Sequence, residues 1–141
     1  MDKRTLPAQL DSLADLRRYA REAGLHAGLD DSRVYQLQLA VDEIATNIIM
    51  YGYQGRDAAA EISIVAETVD ETLRLTLEDR APAFDPQTIP LPKAAELAKP
   101  LDERPIGGLG LFLVNLGVDR YVYRHENGCN LNVFEIRLRR D

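Results

Sequence analysis

The sequence predicts an α+β fold, a two-layer sandwich in which helices cover one face of a mixed, mainly antiparallel sheet. Three observations predict it. Two segments with helical spacing of apolar residues come first, two pairs of segments with alternating apolar residues follow, and short turns join each pair. Helices that are separated from hairpins along the chain are typical of this class. A length of 141 residues predicts a single domain over residues 1–141.

The two helices are predicted in the first third of the chain. Apolar residues recur at helical spacing over Leu10–Ala23, and Gly24 is the expected stop. The second helix is predicted over Arg33–Tyr51, with Gly52 at its end. It follows Asp30-Asp31-Ser32, which offers three candidate N-caps because short polar side chains accept hydrogen bonds from the first backbone amides of a helix.

The strands are predicted as two hairpins. Ala60–Val69 and Thr72–Glu78 alternate apolar and polar residues, and Asp70-Glu71 between them is a suitable two-residue turn. A second hairpin is predicted near the C-terminus from Arg120–Arg124 and Asn130–Leu138, with a Glu-Asn-Gly sequence in the connection. These four segments supply the sheet.

The stretch between the hairpins has a different composition. Ala81–Pro105 contains six of the seven prolines, a density that excludes a central strand or a long helix. Loops of this length in a compact domain usually have a function, often as a lid. Gly107-Gly108-Leu109-Gly110 follows, and a short apolar helix is predicted after it over Leu111–Leu116.

Composition excludes several classes of function. With 17 Lys and Arg against 23 Asp and Glu, the formal net charge is −6, which argues against direct binding of nucleic acid. The single cysteine, Cys129, excludes an intramolecular disulfide and a thiolate metal cluster, and fits a reducing cytoplasm. No signal peptide and no apolar segment of membrane-spanning length is found, so we expect a soluble protein that does not enter membranes.

Three short patterns carry candidate chemistry. Glu43 and Asn47 lie one turn apart on the second helix, although such a pair more often belongs to a solvent-facing side. Asp79 ends a strand, where a carboxylate either accepts a hydrogen bond from a ligand amino group or caps a turn. Gly108-Leu109-Gly110 at a helix start offers backbone amides to an anion. It is neither a Rossmann nor a Walker A sequence.

Taken in order, these patterns resemble the GHKL ATPase superfamily, which has the Bergerat fold and includes histidine kinases, gyrase B and MutL. Asp42–Asn47 resembles its N-box, Asp79–Pro86 its first glycine box and Gly108–Leu111 its second. Within the superfamily, LAVDEIATNIIMYGY, DRAPAFDP and ERPIGGLGLFLV are similar to the anti-sigma-factor serine kinases, the RsbW and SpoIIAB group. The resemblance runs from about residue 4 to residue 138.

The resemblance implies roles for the residues that match. Asn47 would coordinate Mg²⁺ through its side-chain oxygen, and Glu43 would accept the proton of an attacking serine hydroxyl. Asp79 would accept a hydrogen bond from the adenine amino group of ATP. Gly108 and Gly110 would place their backbone amides near the phosphates.

The remaining candidates lie in and around the expected ATP lid, about residues 86–106. Phe84 and Leu111 match the ATP-binding boxes, and Arg104 is a candidate for the γ-phosphate on its charge alone, against simple placement on the surface. Ala81 belongs to the same set but departs from the pattern, because the family usually has glycine there. Its methyl group is expected to crowd the base or to block a backbone conformation with positive φ.

The function implied is that of a cytoplasmic ATP-dependent serine-protein kinase. Its substrate would be a STAS-domain anti-anti-sigma protein, and a sigma factor would be a second partner. A histidine kinase is disfavoured because the chain has no room for a phosphoacceptor domain. A regulatory module that binds partners without kinase activity, with or without nucleotide, and a domain with no ligand are the alternatives. Family members often dimerise, and the sequence leaves a homodimer open.

Overall fold

The computed structural model describes residues 1–53, 59–83 and 117–138. The described helices are α1 (Leu13–His26) and α2 (Asp31–Asn47), and the described strands are β1 (Arg4–Pro7), β2 (Glu61–Val69), β3 (Thr72–Asp79), β4 (Arg120–Glu126) and β5 (Cys129–Arg137). The strands form one sheet in the order β1-β2-β3-β5-β4. Every pairing among these described strands is antiparallel, which agrees with the expected, mainly antiparallel sheet.

The helices cover one face of the sheet, as predicted. Alternate residues of β2, β3 and β5 point to that face and form one apolar core with the inner sides of α1 and α2; the core includes Leu16, Ala20, Leu37, Val41, Ile44, Ile62, Ile64, Leu75, Leu77 and Phe134. The opposite face carries polar pairs such as Thr5 with Ser63 and Lys3 with Glu78. No described helix is long and apolar enough to cross a membrane.

The first helix differs from its prediction at both ends. Leu10–Ser12 forms a 3₁₀ turn, and α1 then continues past the expected stop at Gly24 to His26. Gly24 lies inside the helix, where an added Cβ would come within 3.1 Å of Val34 Cγ2. The glycine therefore allows close packing of α1 against α2. The turn comes later, at Gly28, whose φ of +90° suits glycine.

The second helix begins and ends earlier than predicted. Among the three candidate caps, Asp30 caps the helix, since its Oδ1 accepts a hydrogen bond from the Arg33 amide at 2.8 Å. The α-helix ends at Asn47, and Ile48–Gly52 forms a π turn that the Tyr53 amide closes on the Ile48 carbonyl at 2.9 Å. A π turn holds one more residue than an α turn, and such turns are frequent at functional sites.

Both predicted hairpins are present, and one strand was missed. Asp70 and Glu71 have φ values of 51° and 62°, the left-handed conformation that a two-residue type I′ turn requires. The missed strand is β1, which pairs with β2 at the edge of the sheet. β1 has four residues and ends in Pro7. An edge strand tolerates proline because the strand pairs with only one neighbouring strand.

Candidate functional site

The helix-facing side of the sheet changes from apolar to polar toward one end. Along β3 the inward residues are Leu73, Leu75, Leu77 and then Asp79, and along β5 they are Ile136, Phe134, Asn132 and then Asn130. The register places Leu77 opposite Asn132 and Asp79 opposite Asn130. Two adjacent strands therefore bring a carboxylate and an amide together, both buried, where the apolar core ends.

Asp79 uses one of its two carboxylate oxygens within the protein. Its Oδ1 accepts hydrogen bonds from the Ala81 amide at 3.0 Å and from Asn130 Nδ2 at 2.9 Å. Its Oδ2 is buried and has no partner among the described residues. Oδ1 therefore caps the turn after β3, and Oδ2 is available to accept a hydrogen bond from a ligand. Burial raises the pKa of Asp79, and the two hydrogen bonds oppose that rise.

Asn130 holds Asp79 in place and was not anticipated. Its Nδ2 donates to Asp79 and also to the Ala81 carbonyl at 2.9 Å, while its Oδ1 accepts from the Tyr123 hydroxyl. His125 Nδ1 lies 3.2 Å from the same oxygen. These contacts fix the orientation of the amide. The sequence carried a signal, because Asn130 and Asn132 occupy alternate positions that would be apolar in a strand facing a core.

Asn47 is a completely buried amide at the end of α2. Neither its Oδ1 nor its Nδ2 has a hydrogen-bond partner among the described residues. The solvent-facing interpretation of this side of the helix is therefore wrong for Asn47. A buried polar group without a partner costs about 1–3 kcal/mol, so its presence favours a ligand that supplies the partner.

Glu43 lies one helical turn before Asn47 and is half-buried. Burial raises its pKa, and the negative charge of Asp42 raises it further. Asp42 is itself paired with Arg17, whose Nη1 lies 2.6 Å from its Oδ1. Gln36, which falls in the same polar sector of the predicted helical wheel, is exposed. The buried half of this polar sector thus contains an acid with a raised pKa and an amide to which no described residue bonds.

Comparison with known proteins identifies the fold family. The family model described as a histidine kinase-like ATPase domain matches residues 6–135. The chain belongs to the histidine kinase-like ATPase domain family. This result confirms the predicted superfamily.

The similar sequences of this ATPase domain are bacterial kinases. Serine-protein kinase RsbW from Bacillus cereus (strain AH187) is 25% identical over 127 residues, which cover 89% of this chain and 78% of the relative. Serine-protein kinase RsbW from Bacillus thuringiensis subsp. konkukian (strain 97-27) gives the same figures. The likeness thus falls within the predicted branch of the superfamily.

Solved structures support the fold. The crystal structure of the RsbU and RsbW domains of Rv1364c from Mycobacterium tuberculosis matches all of this chain with a TM-score of 0.63 and 17% identity, and the match covers 34% of that chain. The histidine kinase domain from the Erythrobacter litoralis EL346 blue-light activated histidine kinase matches 94% of this chain with a TM-score of 0.52 and 17% identity, over 62% of that chain. Our chain therefore spans about a third of the first and under two thirds of the second.

Ala81, which departs from the usual glycine of this ATPase domain, has an ordinary backbone. The non-glycine residues with positive φ in the described ranges are Asp70, Glu71 and Asn127, so the expected conflict with a positive φ at Ala81 is wrong. Ala81 is buried, and an added Cβ on Gly52 would lie 3.3 Å from its methyl carbon. The methyl group thus packs beside the turn that follows α2.

The other predicted site residues cannot be placed in the same way. Phe84, Arg104, Gly108, Gly110, Leu111 and the expected lid, about 86–106, lie outside the described residues. Within the described ranges, no three His, Cys, Asp or Glu residues form a group that could hold a metal ion. Among the described side chains, the buried Asn47 oxygen is available to a magnesium ion, which fits the preference of Mg²⁺ for few protein ligands together with phosphates and water.

Proposed function

We propose that the chain is a cytoplasmic ATP-dependent serine-protein kinase that phosphorylates a STAS-type anti-anti-sigma protein, with sequestration of a sigma factor as its second activity. The observation that carries the proposal is the buried amide of Asn47, which has no partner in the described part of the chain and lies one turn after the half-buried Glu43. The likeness to RsbW serine-protein kinases supports the class of substrate. A homodimer is part of the same proposal.

Asp79 is proposed to read the base. Its Oδ2 is a buried acceptor without a partner among the described residues, while Asn130 and the Ala81 amide hold Oδ1. The adenine amino group donates a hydrogen bond, whereas guanine has a carbonyl oxygen at that position and would face a carboxylate. The geometry therefore favours adenine over guanine, because an acceptor set against an acceptor leaves both groups unpaired.

Asn47 is proposed to hold Mg²⁺ through Oδ1. When bound, the ion would neutralise charge on the phosphates of ATP. Asn47 suits the task because its side chain is neutral and its oxygen has no competing donor among the described residues. Gly108, Gly110 and Arg104 are proposed as further phosphate contacts, and Phe84 and Leu111 as neighbours of the nucleotide.

Glu43 is proposed as the general base. The serine oxygen of the substrate forms a bond to the γ-phosphorus, the bond from that phosphorus to the β–γ bridging oxygen breaks, and ADP leaves with the electron pair. The serine proton passes to the Glu43 carboxylate. A raised pKa makes this carboxylate a better proton acceptor than an ordinary surface glutamate.

A second function is a regulatory module that binds its partner without phosphorylating it. Ala81 in place of the usual glycine favours it, because this residue stands two positions after the base-reading carboxylate and is buried beside it. The absence of a side chain at Gly52 favours nucleotide binding instead, because it leaves room for the Ala81 methyl group, which a Cβ on residue 52 would approach to 3.3 Å.

Phosphate transfer decides between the two. The purified chain is incubated with γ-labelled ATP, Mg²⁺ and the STAS protein encoded nearest to it, and we expect label on a serine of that protein. The Glu43→Gln variant should lose at least about 100-fold in rate while still binding the partner. Glu22→Gln, an exposed change on α1, is the matched control and should behave as wild type.

The remaining outcomes separate the alternatives. Binding of the STAS protein with no transfer of label by the wild type would contradict the kinase and support the regulatory module. Millimolar Mg·ATP should also raise the melting temperature, since ligand at about 100 times its Kd stabilises a fold by about 2.7 kcal/mol. The absence of such a shift would exclude every nucleotide-dependent function.

A further inference from the structure

The Tyr53 hydroxyl lies between the ends of β2 and β3. It accepts a hydrogen bond from the Arg80 amide at 2.8 Å and donates one to the Glu61 carbonyl at 2.8 Å. Glu61 is the first residue of β2, and Arg80 directly follows Asp79, the last residue of β3. One side-chain oxygen thus connects the two strands beside the proposed base-reading carboxylate.

The register shows what this hydroxyl replaces. Ile62 pairs with Asp79, so the next position along the antiparallel ladder would set Glu61 opposite Arg80. Instead of a direct bond between the Arg80 amide and the Glu61 carbonyl, the tyrosine hydroxyl accepts from one and donates to the other. The strands are therefore kept apart by one oxygen atom at this point, and β3 ends at Asp79.

Tyr53 also connects this strand end to α2. Its backbone amide closes the π turn on the Ile48 carbonyl, directly after Asn47. The preceding residue, Gly52, faces the methyl group of Ala81, which lies 3.3 Å from the position of an added Cβ. Gly52 and Tyr53, at the end of the π turn after α2, thus lie beside Ala81 and Arg80, the two residues that follow Asp79.

We propose that Tyr53 is a positioning residue that sets the separation between Asn47 and Asp79, and so the fit of the nucleotide between its phosphate end and its base. The proposal rests on the proposed function for its ligand. Without the hydroxyl, Arg80 and Glu61 either bond directly, which draws Asp79 toward β2, or turn to water. Each outcome moves Asp79 relative to α2.

The test is Tyr53→Phe, which removes a single oxygen atom. We expect the KM for ATP to rise about 5- to 10-fold, the loss expected for a hydrogen-bonded positioning group, while kcat changes by less than about 2-fold because Glu43 and Asn47 stay on an intact α2. The Arg80 amide should exchange with solvent about 10-fold faster without any nucleotide. The matched control is Tyr35→Phe, since Tyr35 is 61% exposed on α2 and makes no side-chain hydrogen bond among the described residues.

A second pair of variants tests the contact beside the tyrosine. Gly52→Ala adds a methyl group 3.3 Å from Ala81 and should raise the KM for ATP about 5-fold. In an Ala81→Gly background the added methyl group has nothing to meet, so the double variant should recover the KM of Ala81→Gly alone. Failure of the double variant to recover would contradict a positioning role for this contact.

The outcomes separate this proposal from the proposed function. If the wild type binds no nucleotide, the proposed function fails. The exchange rate of the Arg80 amide still tests the tyrosine bridge, that is, the two hydrogen bonds by which the Tyr53 hydroxyl joins Arg80 to Glu61. If Tyr53→Phe changes neither that rate nor the KM for ATP, the bridge is overturned whether or not the chain is a kinase. A lower melting temperature of Tyr53→Phe with an unchanged KM for ATP, the KM being measured well below the melting temperature, would show that the role of Tyr53 is purely structural. That result would also overturn the proposal.

Discussion

Two buried asparagines, one at the end of α2 and one at the start of β5, have opposite surroundings. Asn130 is 2% exposed, and both its amide nitrogen and its oxygen are hydrogen-bonded within the protein. Asn47 is 0% exposed, and neither of its polar side-chain atoms has a partner among the described residues. The difference separates a side chain that builds the site from one whose bonding capacity is left for a ligand.

The same comparison has an energetic side. A satisfied buried amide contributes about 1 kcal/mol per hydrogen bond, whereas an unsatisfied one costs a similar amount or more. The region around Asn130 should therefore stabilise the fold, and the region around Asn47 should weaken it. Substitution by leucine, which has nearly the same shape, can test each region separately.

The largest expected effect is that of Asn130→Leu. The change removes the three hydrogen bonds that Asn130 makes to Asp79 Oδ1, the Ala81 carbonyl and the Tyr123 hydroxyl, and we expect the free energy of unfolding to fall by about 3 kcal/mol. Chemical denaturation measures it. Asn132→Leu is the matched control, because Asn132 is equally buried and bonds Tyr121 rather than Asp79. Asn132→Leu should lower stability but leave the affinity for ATP intact. Equal losses of ATP affinity in the two variants would contradict the assignment of Asn130 as the residue that holds Asp79 in place.

Asn47→Leu should have the opposite sign. Replacing an amide that has no partner within residues 1–53, 59–83 and 117–138 by a buried apolar group should raise the free energy of unfolding by about 2 kcal/mol in the absence of ligand. The thermal shift produced by Mg·ATP should disappear in the same variant. If Asn47→Leu destabilises the unliganded protein as much as Asn130→Leu does, the contrast between the two amides is wrong.

Asp79→Asn probes the carboxylate that lies between them. We expect ATP to bind about 10-fold more weakly, because the charged acceptor of the adenine amino group is lost. The raised pKa of Asp79 means that folding favours its protonated form. That contribution to stability is therefore complete below the unfolded pKa of about 3.9 and is lost as pH rises through the folded pKa. The variant should gain stability relative to wild type as pH rises above about 4, and a constant difference in unfolding free energy would contradict the burial of a charge.

The smallest expected effect concerns Glu43. The proposed base must be ionised, so the rate of phosphate transfer should rise with pH through its raised pKa. Asp42→Asn removes a neighbouring negative charge and should move this limb to lower pH. Arg17→Gln removes the cation paired with Asp42 and should move it to higher pH. Shifts of the same sign in both variants would exclude Glu43 as the titrating group.

Local patterns in the sequence predicted most of the fold. Asp70-Glu71 specified a turn, and alternating residues specified the strands on either side of it. The missed strand, β1, has four residues and no periodicity long enough to detect, and only its pairing with β2 makes it a strand. Gly24 was misread as a helix end. A glycine is needed there because a Cβ at this position would lie 3.1 Å from Val34 Cγ2, on the other helix.

The site was predicted less completely than the fold. Glu43, Asn47 and Asp79 could be selected because they match short boxes, although the boxes do not show which atoms have partners. Asn130 lies 51 residues after Asp79 and meets it only through the β3–β5 register. The tyrosine bridge likewise depends on where the ladder of β2 and β3 stops. Contacts of this kind are set by tertiary packing and leave no signal within any single window of sequence.

The pairing of β3 with β5 has a consequence for how the chain can change in length. The two strands are neighbours in the sheet, yet β3 ends at Asp79 and β5 begins at Cys129, so their pairing closes a long stretch of chain. The entropy lost on closing a loop grows only with the logarithm of its length, and doubling the length costs about 0.6 kcal/mol. Lengthening the chain between these two strands would therefore add little to the loop-closure entropy of their pairing.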